Sequence, residues 1–202
     1  MELRADGKRR DILRAARKHF MVEGYAAAGM EAVARDASVS TATLYVYFPS
    51  KADLFAKVID DAAEDFSRLM REVQAISGDA ETTVRTFALA YARFMSDPFV
   101  RSIFRLVMAE RRRFEETARD FYDRGRRDFG GVLIAALKRL TDAGELDVAK
   151  PSWAAGQLMG MVEHPVFFIA MVTGDEMKAE RPIEQIAEDA AETFLARYRR
   201  RD

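Results

Sequence analysis

Apolar residues recur along this chain at spacings of three and four, and nowhere do they alternate with polar ones for long, so the pattern predicts helix almost throughout and no strand pair. The first helix is expected from Lys8 to about Glu23, with Ile12, Ala16, His19 and Phe20 on one face and Gly24 as its stop. A second, short helix buries Met30, Val33, Ala34 and Ala37. Ser40 is placed to accept a hydrogen bond from the turn that follows, and so to cap a third helix from Thr41 to about Tyr47, which Pro49 ends. Ser50, with Asp53 three residues on, resembles a capping box and launches a long helix through Leu54, Phe55, Val58, Ile59 and Phe66 to about Ile76. Ser77, Gly78 and Asp79 break it.

Beyond the break the spacing predicts helices over Glu81 to Ser96, Pro98 to about Arg111, and Phe114 to Ala143, the last closed by Gly144. Gly130 and Gly131 inside it mark a bend or a close backbone approach. Two more helices follow, Ser152 to Thr173 and Ile183 to about Arg200, with Pro151 and Pro182 at their starts. The expected architecture is therefore all-α. An N-terminal three-helix domain (1–60, with its central hairpin at about 29–48) is joined by a long helix to a C-terminal bundle (61–202).

The hairpin is the informative element. Two short helices meet at a tight turn, and the second is too short to be stable unless Leu44 and Phe48 pack it inward. Its other side then offers Thr41, Ala42, Thr43, Tyr45 and Tyr47, a set without a carboxylate that can approach phosphates. Lys51 adds a cation in the first turn of the next helix, where free backbone N–H groups already attract anions.

Residues 8–60 resemble the DNA-binding domain of the TetR family of bacterial regulators. The resemblance is carried by Val39-Ser40, Thr43-Leu44-Tyr45, Tyr47-Phe48 and Ser50-Lys51, supported by Gly24-Tyr25 and Val33-Ala34. It implies a helix-turn-helix in which Thr41, Ala42, Thr43 and Tyr45 face the major groove of double-stranded DNA while Tyr47 and Lys51 contact phosphates. It also implies a homodimer joined by a four-helix interface, its recognition helices about one DNA turn, ~34 Å, apart. Three positions depart from the family pattern. Gly29 stands where Ser or Thr usually caps the second helix, Glu31 brings a carboxylate near the DNA edge, and Ser38 replaces the usual turn glycine. Arg9, Arg10 and Arg14 on the first helix are further candidates for phosphate contact, or simply a solvated face.

Composition changes the picture in a few places. With 49% hydrophobic residues the chain can bury a substantial core. Cysteine is absent, which removes disulfides, thiolate metal sites and thiol nucleophiles, and suits the reducing cytoplasm expected for such a regulator. The polar start, Met1 to Arg10, has no apolar stretch behind it to act as a signal-peptide core. The net charge of −1 hides an asymmetry: residues 1–59 hold 10 basic side chains against 7 acidic, and the rest hold 22 against 26. This is a weak footprint for a polyanion. Two histidines and no Glu-x-x-His pair exclude a histidine-rich or carboxylate-bridged metal site. No nucleophile–base pair or glycine-rich phosphate loop is visible, so neither an enzyme nor a cofactor is expected.

Trp153 to Val172 is apolar and about long enough to span a bilayer, but Glu163, His164 and Pro165 interrupt it, and a buried helix of a soluble protein is expected instead. Pro165 removes a backbone hydrogen bond and should kink the helix. Aromatic and methionine residues are dense in the C-terminal half. Tyr91, Phe94, Phe104, Met108, Phe121, Phe129, Met161, Glu163, His164 and Phe168 are candidates to line a pocket for a hydrophobic small molecule, against the reading that they simply fill the core. Gly156 and Gly160, with Ile186, Ala190 and Phe194 on the last helix, are candidates for the dimer interface, against closing the subunit's own core. The expected function is a repressor released from a palindromic operator by such a ligand. The alternative is a ligand-independent architectural DNA binder.

Overall fold

A computed structural model describes the backbone of residues 2–74, 78–177 and 179–200 and the side chains of 7–68, 78–177 and 179–200. Ile76 and Ser77, where the sequence places the end of the long helix, lie outside the described residues. The elements are α1 (Glu2–Ala27), α2 (Met30–Asp36), α3 (Thr41–Tyr47), α4 (Lys51–Gln74), α5 (Ala80–Ser96), α6 (Pro98–Glu110), α7 (Glu115–Gly125), α8 (Gly131–Asp142), α9 (Pro151–Glu163), α10 (Ile169–Thr173) and α11 (Ile183–Tyr198). No strand occurs among the described residues, and the lone β-bridge joins Leu146 to Arg199. The chain is all-α, as the sequence predicts.

The long helix expected from Phe114 to Ala143 is interrupted by a π turn, Arg126–Gly130, between α7 and α8. A Cβ on Gly130 or Gly131 would meet nothing within 4 Å, so the glycines do not mark a close approach; they adjoin the irregularity itself. A second π turn, His164–Phe168, takes up Pro165 between α9 and α10. The wider turn accommodates a ring that has no N–H to donate and that would crowd the preceding carbonyls in a regular helix. Gly24, at φ 77 and ψ 169, breaks α1 where the sequence expects its end.

The helices pack as two compact units. The first holds residues up to Asp65 together with Ser102–Tyr122, and the second holds Phe66–Arg101 together with residues from Asp123 on. The grouping differs from a simple boundary at residue 60, because the second half of α6 and most of α7 belong with the N-terminal helices. In the first unit Ile12, Ala16, Phe20, Val33, Ala34, Leu44, Leu54, Phe55 and Val58 are buried. Arg17 of α1 forms ion pairs with Asp61 and, at 3.1 Å, with Asp65 of α4.

The second unit is built around α5, which packs against α9 and α11. Asp79 caps α5 by accepting a hydrogen bond from the Thr82 N–H at 2.7 Å, and that bond holds its carboxyl below the ordinary aspartate range. Arg101, largely buried, donates to Asp175 at 2.6 Å and to the Ser96 carbonyl.

Two expectations about the last helices turn on burial. Ile186, Ala190 and Phe194 are 7%, 5% and 1% exposed within a single chain, because α11 turns its apolar stripe onto α5. They pack within the subunit's own core. The apolar helix from Pro151 to Thr173, expected to be buried, is only 28% buried over its most apolar window. Ala154, Ala155, Leu158 and Val162 face inward, while Trp153 (68% exposed), Phe168 and Val172 point away from the core, with Gly156 and Gly160 on the surface.

Candidate nucleic-acid interface

Local chemistry fixes the hairpin. α2 begins at Gly29, which offers no side-chain cap, so its first N–H groups stay open. At the turn Ser38 adopts φ 55, the left-handed region that favours glycine, and its N–H bonds the Arg35 carbonyl at 3.0 Å. Ser40 then caps α3: its Oγ accepts from the Thr43 N–H at 3.1 Å and lies 2.8 Å from the Thr43 hydroxyl. Leu44 is 0% exposed and Phe48 4%, so α3 is held from one side. Thr41, Thr43 and Tyr47 are half-buried, and Ala42, Tyr45 and Val46 are exposed. None of the seven carries a charge.

Ser50 opens α4, accepting from the Asp53 N–H at 3.1 Å and donating its hydroxyl to the Asp53 carboxylate at 2.7 Å. Lys51 follows, half-buried, its ammonium donating to the Ala26 carbonyl at 3.0 Å and lying 4.9 Å from the centre of the Tyr25 ring. An ammonium has three donors, so two remain for an incoming anion. The Arg9 guanidinium sits 5.7 Å from the Phe48 ring centre, Arg14 pairs with Asp11, and Glu31 is exposed. His19 ties α1 to α2, with Nδ1 2.6 Å from Glu23 and Nε2 3.0 Å from Asp36. The His19 bond, followed by the Lys18 charge, holds the Asp36 carboxyl below its usual range.

Val46, 81% exposed, is absent from the set expected from sequence, although a seven-residue helix held by Leu44 and Phe48 must expose it beside Tyr45. Arg113 is a second omission. Its guanidinium lies 4.6 Å from the centre of the Tyr25 ring, a contact between residues far apart in the chain that no local pattern announces.

Of the residues expected to line a ligand pocket, Phe104, Met108 and Phe121 belong to the first unit. Phe104 and Phe121 meet edge-on at 5.0 Å, and Met108 is 58% exposed. The other seven belong to the second unit. Tyr91, Phe94 and Phe129 form a buried aromatic cluster, Phe94 to Phe129 at 4.5 Å and Tyr91 to Phe129 at 5.7 Å. The Tyr91 hydroxyl donates to the Glu163 carboxylate, and burial, then that carboxylate, push its pKa well above the usual tyrosine value. Met161 is half-buried; His164 and Phe168 stack on each other at 5.7 Å and are exposed. Among the described residues no group of three or more His, Asp or Glu is arranged to hold a metal ion.

Comparison with known proteins places these features in a family. Residues 12–58 match the profile described as bacterial regulatory proteins, tetR family, and residues 82–200 match that of the AefR-like transcriptional repressor, C-terminal domain. A putative TetR-family transcriptional regulator from Mesorhizobium loti MAFF303099 superposes with a TM-score of 0.81 at 25% identity, over 98% of this chain and 99% of that one. The flavonoid-responsive regulator FrrA gives 0.76 at 32% identity over 96% and 98% of the two chains. The HTH-type transcriptional activator FasR of Mycolicibacterium smegmatis is 31% identical over 90 residues, a match spanning 45% of this chain and 41% of the relative's length. With a capped, uncharged helix exposed after a tight turn, and with both halves matched, the chain belongs to the TetR family of DNA-binding transcriptional regulators.

Proposed function

We propose that the protein is a homodimeric repressor that binds a palindromic operator through α3 and leaves it when a hydrophobic small molecule enters the second unit. The observation that carries the DNA reading is the outer side of α3, uncharged and open, on a helix clasped by Leu44 and Phe48. In this reading Thr41, Ala42, Thr43 and Tyr45 address base edges, and Tyr47 and Lys51 hold phosphates. The Trp153, Gly156, Gly160 face is where a second copy docks, since an apolar surface broken by glycines lets two helix backbones approach. Gly156 and Gly160 are the dimer candidates that stand on this exposed face.

The ligand reading rests on the Tyr91–Glu163 pair set among Phe87, Phe94 and Phe129. A phenol held by a carboxylate among aromatic rings is a template for a planar, hydroxylated aromatic compound, whose own O–H replaces that of Tyr91. FrrA, 32% identical, is described as flavonoid-responsive, which makes hydroxylated flavones the first probes. Coupling runs through α4, which contributes Lys51 to the first unit and Phe66 to the second. The matched profile names a repressor and the curated relative an activator; repression is proposed because a ligand that disfavours the DNA-bound geometry needs only to dissociate the complex.

The test is selection of bound duplexes from random DNA, followed by titration with hydroxylated flavones. The expected result is a two-fold-symmetric sequence with half-site centres about 10 base pairs or a multiple of that apart, released by at least one flavone and less readily in Glu163→Gln. Recovery of unrelated sequences with equal affinity would contradict the operator reading, and binding unmoved by every flavone would contradict the ligand reading.

A further inference from the structure

The turn between α6 and α7 carries three consecutive arginines, Arg111, Arg112 and Arg113, all exposed. Among the described residues none of them pairs with a carboxylate, although Glu110, Glu115 and Glu116 flank the run. Glu115 and Glu116 occupy the first turn of α7, where backbone N–H groups favour a negative charge. The turn is anchored by its next residue. Phe114 stacks on Phe55 at 4.5 Å and meets Tyr25 edge-on at 4.9 Å, joining the aromatic cluster that also holds Phe20. The arginines are thus fixed to the hairpin's own core, although more than fifty residues separate them from it in sequence.

The Tyr25 ring is 5% exposed and carries two cations, the Lys51 ammonium at 4.9 Å and the Arg113 guanidinium at 4.6 Å from its centre. Both lie within 5 Å of one point, so they stand within about 10 Å of each other whichever faces they occupy. Like charges held this close with no anion between them suit a polyanion. One DNA strand presents a phosphate about every 3.4 Å of helix axis, so neighbouring phosphates are in range of both cations.

We propose that the Arg111–Arg113 turn is a second phosphate-binding element, outside the helix-turn-helix, that brings Arg111 and Arg112 to the backbone of the duplex addressed by α3. Arg113, seated on Tyr25, is the positioning residue that holds the turn beside Lys51. The inference rests on the reading of Lys51 as a phosphate contact. It adds sequence-independent affinity and leaves the choice of bases to α3.

The experiment measures binding of the full-length protein to the selected operator and to a scrambled duplex over a range of salt concentrations. For R111Q/R112Q the slope of log K against log salt should fall by roughly 0.9 for each arginine removed, counting both subunits of the dimer, equally on both duplexes and with base preference unchanged. R111K/R112K keeps the charges and should keep the slope. Arg119→Gln, which changes net charge farther along α7, should leave it near the wild-type value. An unchanged slope in R111Q/R112Q overturns the proposal, as does an equal fall in Arg119→Gln, which would show a general charge effect. Failure of the wild-type protein to bind either duplex would instead strike at the reading of α3 and Lys51.

Discussion

Single residues set the geometry of the hairpin, and Ser38 is the most exposed to test. A non-glycine residue at φ 55 carries strain that glycine does not. The usual entropic cost of glycine offsets part of the relief. Ser38→Gly is therefore expected to stabilise the first unit by ~0.5 kcal/mol, raising its unfolding midpoint by about 1–2 °C in calorimetry. A lowered midpoint would show that the serine is supported in a way the φ angle does not reveal. The sequence identified this position only as a departure from the family's turn glycine; the positive φ is a property of the folded turn. The Ser40 cap, by contrast, was legible outright: one hydroxyl, an open N–H three residues on and a following proline leave little else for the segment to do.

At the scale of elements, helices and their ends were readable wherever local chemistry decides them, as at Gly24, Ser40 and Ser50. Which neighbour covers an apolar stripe was not readable. The stripe of α11 has the spacing of an interface and the spacing of a core alike, and only the position of α5 shows that Ile186, Ala190 and Phe194 are core. The reverse holds for α9, whose apolar composition suggested burial while Trp153 stands 68% exposed. Gly160 separates the consequences cleanly. Gly160 is exposed and a Cβ there would meet nothing within 4 Å, so Gly160→Leu should improve helix propensity by about 0.8 kcal/mol and leave the subunit folded. Against a second copy the same side chain should hold the backbones apart. Sedimentation is expected to give a folded monomer with much weakened operator binding; a dimer of wild-type affinity would remove this face from the interface.

For the whole molecule, the two compact units are interleaved in sequence, and this hid the most from a linear reading. The segment Ser102–Tyr122 packs with the N-terminal helices, so Arg113 meets Tyr25 and Phe114 meets Phe55 across long stretches of chain. No spacing rule connects them. The candidate pocket residues suffered likewise: an aromatic at helical spacing reads the same whether it belongs to one unit or the other, so Phe104 and Phe121 could not be sorted from Phe94 and Phe129. What the sequence did carry to the scale of function was the motif around α3, because there the groups are adjacent in the chain and each does a separate job. The central claim is that the outer side of α3 selects the bases. The most direct test is the affinity of wild type and Thr43→Ala for every single-base variant of the selected half-site at one salt concentration. A shift of preference at one or two positions, worth ~1–3 kcal/mol of discrimination, is the expected result. A uniform loss, with the ranking of variants unchanged, would contradict it.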